Sequence, residues 1–171
     1  FICDEIQTGF SRTGKRFAWQ HEDARPDIMC LGKALGGGIM PISAIVADHE
    51  VMDVFTPGTH GSTFGGNPLA SAVGIAALKV LVDEKLDENA ERLGKIFRDE
   101  LRKISCKKIV EVRGKGLLNA VVFEKGFEAW NVCIALRDAG LLAKQTHENI
   151  IRFAPPLVIT EAELREALGI I

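Results

Sequence analysis

The sequence predicts an α/β protein that ends in a small α+β segment, and three observations carry that prediction. Apolar runs at 1–3, 28–31 and 42–47 have the length of buried strands, and the 4–27 stretch is long enough for a crossover between parallel ones. A glycine-rich loop at 55–66 leads into residues 69–82, which are apolar on every side and read as a buried helix. Past residue 84 the composition turns charged, which places a domain boundary there, between 1–84 and 85–171.

Each element has a local reason. Asn67 before Pro68 supplies an N-cap and a proline at the first helical position, where its missing N–H costs nothing. The charged stretch from Asp83 onward keeps Leu93, Ile96, Phe97, Leu101 and Ile104 at helical spacing, as in a surface helix with one buried stripe. Strands follow at 109–112 and 117–123. A helix with Phe127, Trp130 and Ile134 on one face then stops at Gly140. A strand at 150–153 precedes Thr160-Glu161-Ala162-Glu163, a capping box that opens the last helix. The opening residues Phe1-Ile2-Cys3 have no polar lead-in, and Ile171 falls inside that last helix, so a fragment of a longer subunit is expected.

Composition narrows the function. Of 171 residues, 47% are apolar and 26% charged, and 21 basic against 23 acidic side chains leave a net charge of −2. No basic surface favours nucleic acid or an anionic membrane, and no apolar run approaches the roughly 20 residues of a membrane helix. Cys3, Cys30, Cys106 and Cys133 show neither CxxC pairing nor zinc-ligand spacing, so no metal site is expected and a reducing interior suits them. Cys3 and Cys30 read as small buried hydrophobes. His21, His49, His60 and His147 lie in no nucleophile motif.

The strand ends carry the chemistry. Asp4 follows the first strand and Lys33 the second, and in parallel α/β sheets ligands gather at the carboxyl ends of strands. The two side chains form either a structural ion pair or a pyridoxal phosphate site, in which the amine holds the cofactor as a Schiff base and the carboxylate partners the pyridinium nitrogen. Gly36, Gly37 and Gly38 after Lys33 allow close backbone approach or a tight turn. Ser62 and Thr63 offer phosphate donors, or form a turn. Arg152 lies in the apolar run IIRFAPPL, as half of a salt bridge or as a clamp on a substrate carboxylate. The run GFSRTGK copies the start of a P-loop, but Arg16 stands where magnesium needs a hydroxyl, so nucleotide binding is disfavoured.

Three motifs in order, DEIQTGFSRTG, RPDIMCLGKALGGGIMP and HGSTFGGNPLA, resemble the class III (subgroup II) aminotransferases of PLP fold type I. The resemblance implies the end of a large mixed-sheet cofactor domain, followed by a small α+β C-terminal domain. By its pattern Asp4 binds the pyridine nitrogen, Gln7 lies near the ring hydroxyl, Lys33 is the Schiff-base lysine, and Arg152 holds a substrate carboxylate. Ser62 and Thr63 reach the cofactor phosphate of the neighbouring subunit, which implies a homodimer with shared sites. VRGKGLLNA and GLLAKQTHENIIRFAPPLVI are most similar to family members that move the δ-amino group of L-ornithine to 2-oxoglutarate. Members acting on acetylornithine or 4-aminobutyrate, and a non-catalytic scaffold, are the alternatives. The implied compartment is the cytoplasm or the mitochondrial matrix.

Overall fold

The computed structural model describes all residues, 1–171. The chain forms two compact units, Phe1–Ser11 with Lys15–Leu86, and Arg12–Gly14 with Asp87–Ile171. The division therefore falls after Leu86, and three residues near the N-terminus belong to the second unit.

In the first unit, β1 (Ile2–Asp4) pairs in parallel with β2 (Ile28–Leu31), and β3 (Ala44–Ala47) lies antiparallel on the far side of β2. The crossover between β1 and β2 is a chain of turns with one 3₁₀ turn at Ala18–His21. A second 3₁₀ turn at Lys33–Gly36 follows β2, and α1 (His49–Met52) follows β3. The long helix α2 spans Pro68–Asp83. Asn67 caps it as expected, accepting from the Ala70 N–H at 2.8 Å.

Burial of α2 departs from expectation. Only Ala70, Gly74 and Leu81 are buried, whereas Leu69 and Ile75 are 61% and 69% exposed. One side packs against the Lys33–Gly36 turn, where a Cβ on Gly74 would sit 3.5 Å from the Leu35 carbonyl oxygen. Uniform apolarity gives a helix two faces to bury, and this chain covers one of them.

The second unit packs α3 (Leu86–Leu101, from Asp87 onward), α4 (Ala129–Asp138) and α5 (Glu161–Ile170) with an antiparallel sheet ordered β4-β5-β7-β6. The strands are β4 (Ile109–Lys115), β5 (Leu118–Phe123), β6 (Lys144–His147) and β7 (Ile150–Phe153). Alternation puts Val121, Phe123, Ile151 and Phe153 into the core with Leu93, Phe97 and Leu101 of α3. Phe97 and Phe153 meet edge to face at 5.6 Å. On α4 the buried residues are Ala129, Cys133 and Leu136, and Trp130 is 52% exposed, which corrects the expected Phe127–Trp130–Ile134 face. Small residues there let the helix come close to the sheet, and the large indole turns outward.

The segment Arg12–Gly14 is threaded into this unit. Leu117 N–H donates to the Arg12 carbonyl at 3.0 Å, and the Arg12 guanidinium donates to the carbonyls of Leu117 and Pro155. Burial pulls that guanidinium below its usual pKa. Glycine makes the approach possible: a Cβ on Gly116 would fall 2.4 Å from the Thr13 carbonyl carbon, and one on Gly94 would fall 1.8 Å from the Gly116 oxygen.

Candidate active site

Parallel pairing of β1 with β2 sets two functional groups at one sheet edge. Asp4 ends β1 opposite Cys30, and Lys33 stands just beyond the carboxyl end of β2, after Gly32. Both side chains are exposed. Asp4 Oδ1 accepts from the Ile6 N–H at 3.0 Å, which orients the carboxylate, and it forms no salt bridge with Lys33. The structural ion-pair reading therefore has no contact to support it.

The backbone at Lys33 is strained. Its φ is +45°, a left-handed value that costs a non-glycine residue roughly 1–2 kcal/mol. Leu35 N–H donates to the Gly32 carbonyl at 3.1 Å and Gly37, at φ +59°, closes the turn, so the strain is held by hydrogen bonds on both sides. Such strain concentrates at working sites, because placing one side chain outweighs local comfort.

Lys33 lines an open pocket of about 440 Å³ with Ser43, Ser62, Phe64, Gly66 and Asn67. Asn67 anchors this wall twice, capping α2 and donating to the Phe64 carbonyl at 2.8 Å. An amine, the Ser43 hydroxyl, glycine backbone and the N-terminal end of a 16-residue helix suit a flat, phosphorylated, carbonyl-bearing cofactor. The residues present fit pyridoxal phosphate. Ser62 lies on this wall in the same chain, Thr63 is exposed and is not part of it, and Gln7 is exposed three residues beyond Asp4.

Sequence did not single out Ser43, Phe64 or Asn67 as pocket residues, and the Asn67-Pro68 helix-start signal was the sole pointer to any of them. Nor did it mark Glu5, which is only 2% exposed beside Asp4. The Cys3 thiol, half-buried rather than enclosed, has its pKa pushed up by burial and then by the nearby Glu5 charge.

Arg152 belongs to the second unit. On β7 it faces Ala120 of β5 on one side and Lys144 of β6 on the other. It has no carboxylate partner in the chain, so the salt-bridge reading finds no acid. Two cations directly opposed across strands repel, and an anion between them would relieve that repulsion. This favours a site for a carboxylate.

The chain resembles known proteins along nearly its whole length. The chain is 57% identical over 173 residues to the mitochondrial ornithine aminotransferase of Rattus norvegicus, covering all of this chain and 39% of that one. It is 58% identical over 168 residues to the ornithine aminotransferase of Staphylococcus carnosus, covering 98% and 42%. Its structure superposes on the ornithine aminotransferase of Toxoplasma gondii with a TM-score of 0.96 at 52% identity, over 99% of this chain and 41% of that one. PLP partially occupies the active site of that crystal. The acetylornithine aminotransferase of Elizabethkingia anophelis matches with a TM-score of 0.94 at 57% identity, over 99% and 44%. The chain thus spans about two fifths of the length of the curated relatives it matches. The aminotransferase class-III family pattern matches residues 1–171, and the chain belongs to that family.

Proposed function

We propose that the full-length protein is a pyridoxal 5′-phosphate-dependent ornithine δ-aminotransferase. L-Ornithine gives up its δ-amino group and leaves as glutamate 5-semialdehyde, and 2-oxoglutarate takes the amino group and leaves as glutamate. The observation that carries the proposal is the placement of Asp4 and Lys33 at the carboxyl ends of adjacent parallel strands, with Lys33 strained into a pocket. Residues 1–84 then close the large cofactor domain and residues 85–171 form the small C-terminal one.

When bound, the cofactor supplies a ring that accepts the electrons of the C–H bond next to the transferred nitrogen. The rest falls to this chain. The Asp4 carboxylate would partner the ring nitrogen and favour its protonated form. Gln7 donates near the ring hydroxyl. The Lys33 amine holds the cofactor and, once displaced by substrate, carries the proton from that carbon and returns it. Arg152 grips the carboxylate of 2-oxoglutarate or glutamate, with Lys144 keeping the surroundings cationic. In a homodimer, Ser62 and Thr63 serve the cofactor phosphate of the neighbouring subunit. The name of the Rattus norvegicus relative fits a mitochondrial setting, and a bacterial source like that of the Staphylococcus carnosus relative would fit a cytoplasmic one.

The test is the complete enzyme assayed with L-ornithine, N-acetylornithine and 4-aminobutyrate, each against 2-oxoglutarate. Ornithine is expected to give the highest kcat/KM by at least about tenfold, the scale of one hydrogen bond's net contribution. Preference for N-acetylornithine would overturn the ornithine reading.

A further inference from the structure

We propose that Glu5 is a positioning residue that holds Asp4 and Gln7 in place for the cofactor, an inference that rests on the PLP reading above. Glu5 is 2% exposed, and a buried carboxylate is costly unless its oxygens are satisfied. Here both are. Oε2 accepts from the Thr8 hydroxyl at 2.5 Å and Oε1 from the Trp19 N–H at 2.9 Å. Its backbone is engaged on both sides: the N–H donates to the Cys30 carbonyl at 3.0 Å, and the carbonyl accepts from Gly9 N–H at 2.9 Å.

These four bonds enclose the turn that carries Gln7. Glu5 N–H continues the β1–β2 pairing one step past Asp4, so the aspartate sits inside the ladder rather than at a fraying end. The Gly9 and Thr8 contacts bring the turn back onto Glu5, with Gln7 exposed between the two anchors. A side chain on Gly9 would come within 2.7 Å of the Glu5 oxygen, so the turn has no slack there. No cation pairs with the carboxylate, and its partners are neutral donors. Its work is geometric.

That distinction sets the test. In the full-length protein, Glu5→Ala takes the acceptor from the part-buried Trp19 N–H and leaves the Thr8 hydroxyl only its long contact to the Asp4 carbonyl, whereas Glu5→Gln keeps an acceptor for Trp19 and an amide that the Thr8 hydroxyl can rotate to meet. Equilibrium dialysis with pyridoxal 5′-phosphate is expected to show Kd raised about tenfold or more in Glu5→Ala and about threefold or less in Glu5→Gln. The pH midpoint of the bound cofactor's visible absorbance should shift in Glu5→Ala and return toward the original in Glu5→Gln. Thr8→Val removes one donor and leaves the carboxylate half-satisfied, so an intermediate Kd is expected even where Glu5→Ala does not fold. Unchanged Kd and absorbance midpoint in Thr8→Val, and in any Glu5→Ala that folds, would overturn the proposal. Failure of the unaltered protein to bind pyridoxal phosphate would instead overturn the PLP reading.

Discussion

Lys33 adopts a left-handed backbone that a lysine does not favour. A lysine has no conformational reason to adopt φ +45°, and glycine, which stands on either side of this turn at positions 32 and 37, would adopt it freely. The strain predicts a trade between stability and activity. Both Lys33→Ala and Lys33→Gly should abolish transamination in the complete enzyme. In the cofactor-free protein, however, Lys33→Gly should be more stable than Lys33→Ala by roughly 1 kcal/mol, because only glycine relieves the left-handed backbone. Thermal denaturation of the two variants measures this, and equal midpoints would show that the turn carries no such strain. The placement of Asp4 and Lys33 at strand ends was legible in the sequence, because each follows an apolar run, Lys33 after one intervening glycine. Glu5 was not. Its burial depends on Thr8 and Trp19 folding back over it, and nothing in the spacing of those residues announces that contact.

At the scale of elements, the legible features were those written within a few residues. Thr160 and Glu163 form the expected capping box, with the Thr160 N–H donating to Glu163 Oε2 at 2.8 Å and Glu163 N–H donating back to the Thr160 hydroxyl at 3.3 Å. The Thr160 N–H and then its hydroxyl hold the Glu163 carboxyl below its ordinary value of 4.5. A depressed carboxyl contributes stability above its unfolded value, and that contribution is lost as pH falls through the lower, folded one. Acidification should therefore fray the start of α5 in a way that Glu163→Gln does not show. Thr160→Ala should cost about 1 kcal/mol at neutral pH, read from chemical denaturation, and a change within error would show the cap to be redundant. Elements defined by distant partners escaped notice. The polar strand Lys144–His147 has no apolar alternation, and it is held as an edge by pairing with β7. Similarly, Trp130 looked like a core anchor at helical spacing, yet the sheet selected the smaller Ala129–Cys133–Leu136 stripe.

Within these 171 residues, the two units differ in how much apolar surface they bury among themselves. Every residue of the main hydrophobic cluster, from Ala90 to Leu164, lies in the second unit. The first unit buries a handful of apolar side chains, among them Phe10, Leu31, Leu35 and Leu81, and leaves Ile2, Ile39, Ile75 and Phe64 between 61% and 81% exposed. Its three-stranded sheet is made of runs of three or four residues. Local opening costs little where few apolar contacts must be broken, so stability should be uneven along the chain. Hydrogen exchange on the 171-residue chain should protect amides of β5, β7 and α3 at least about tenfold more than those of β1 and β2. Full-length protein saturated with pyridoxal phosphate should narrow the gap, because a ligand that binds only the folded site stabilises the strand ends that carry Asp4 and Lys33. Equal protection of both units in the 171-residue chain would mean that the short sheet holds itself, and that the exposed apolar side chains cost it nothing.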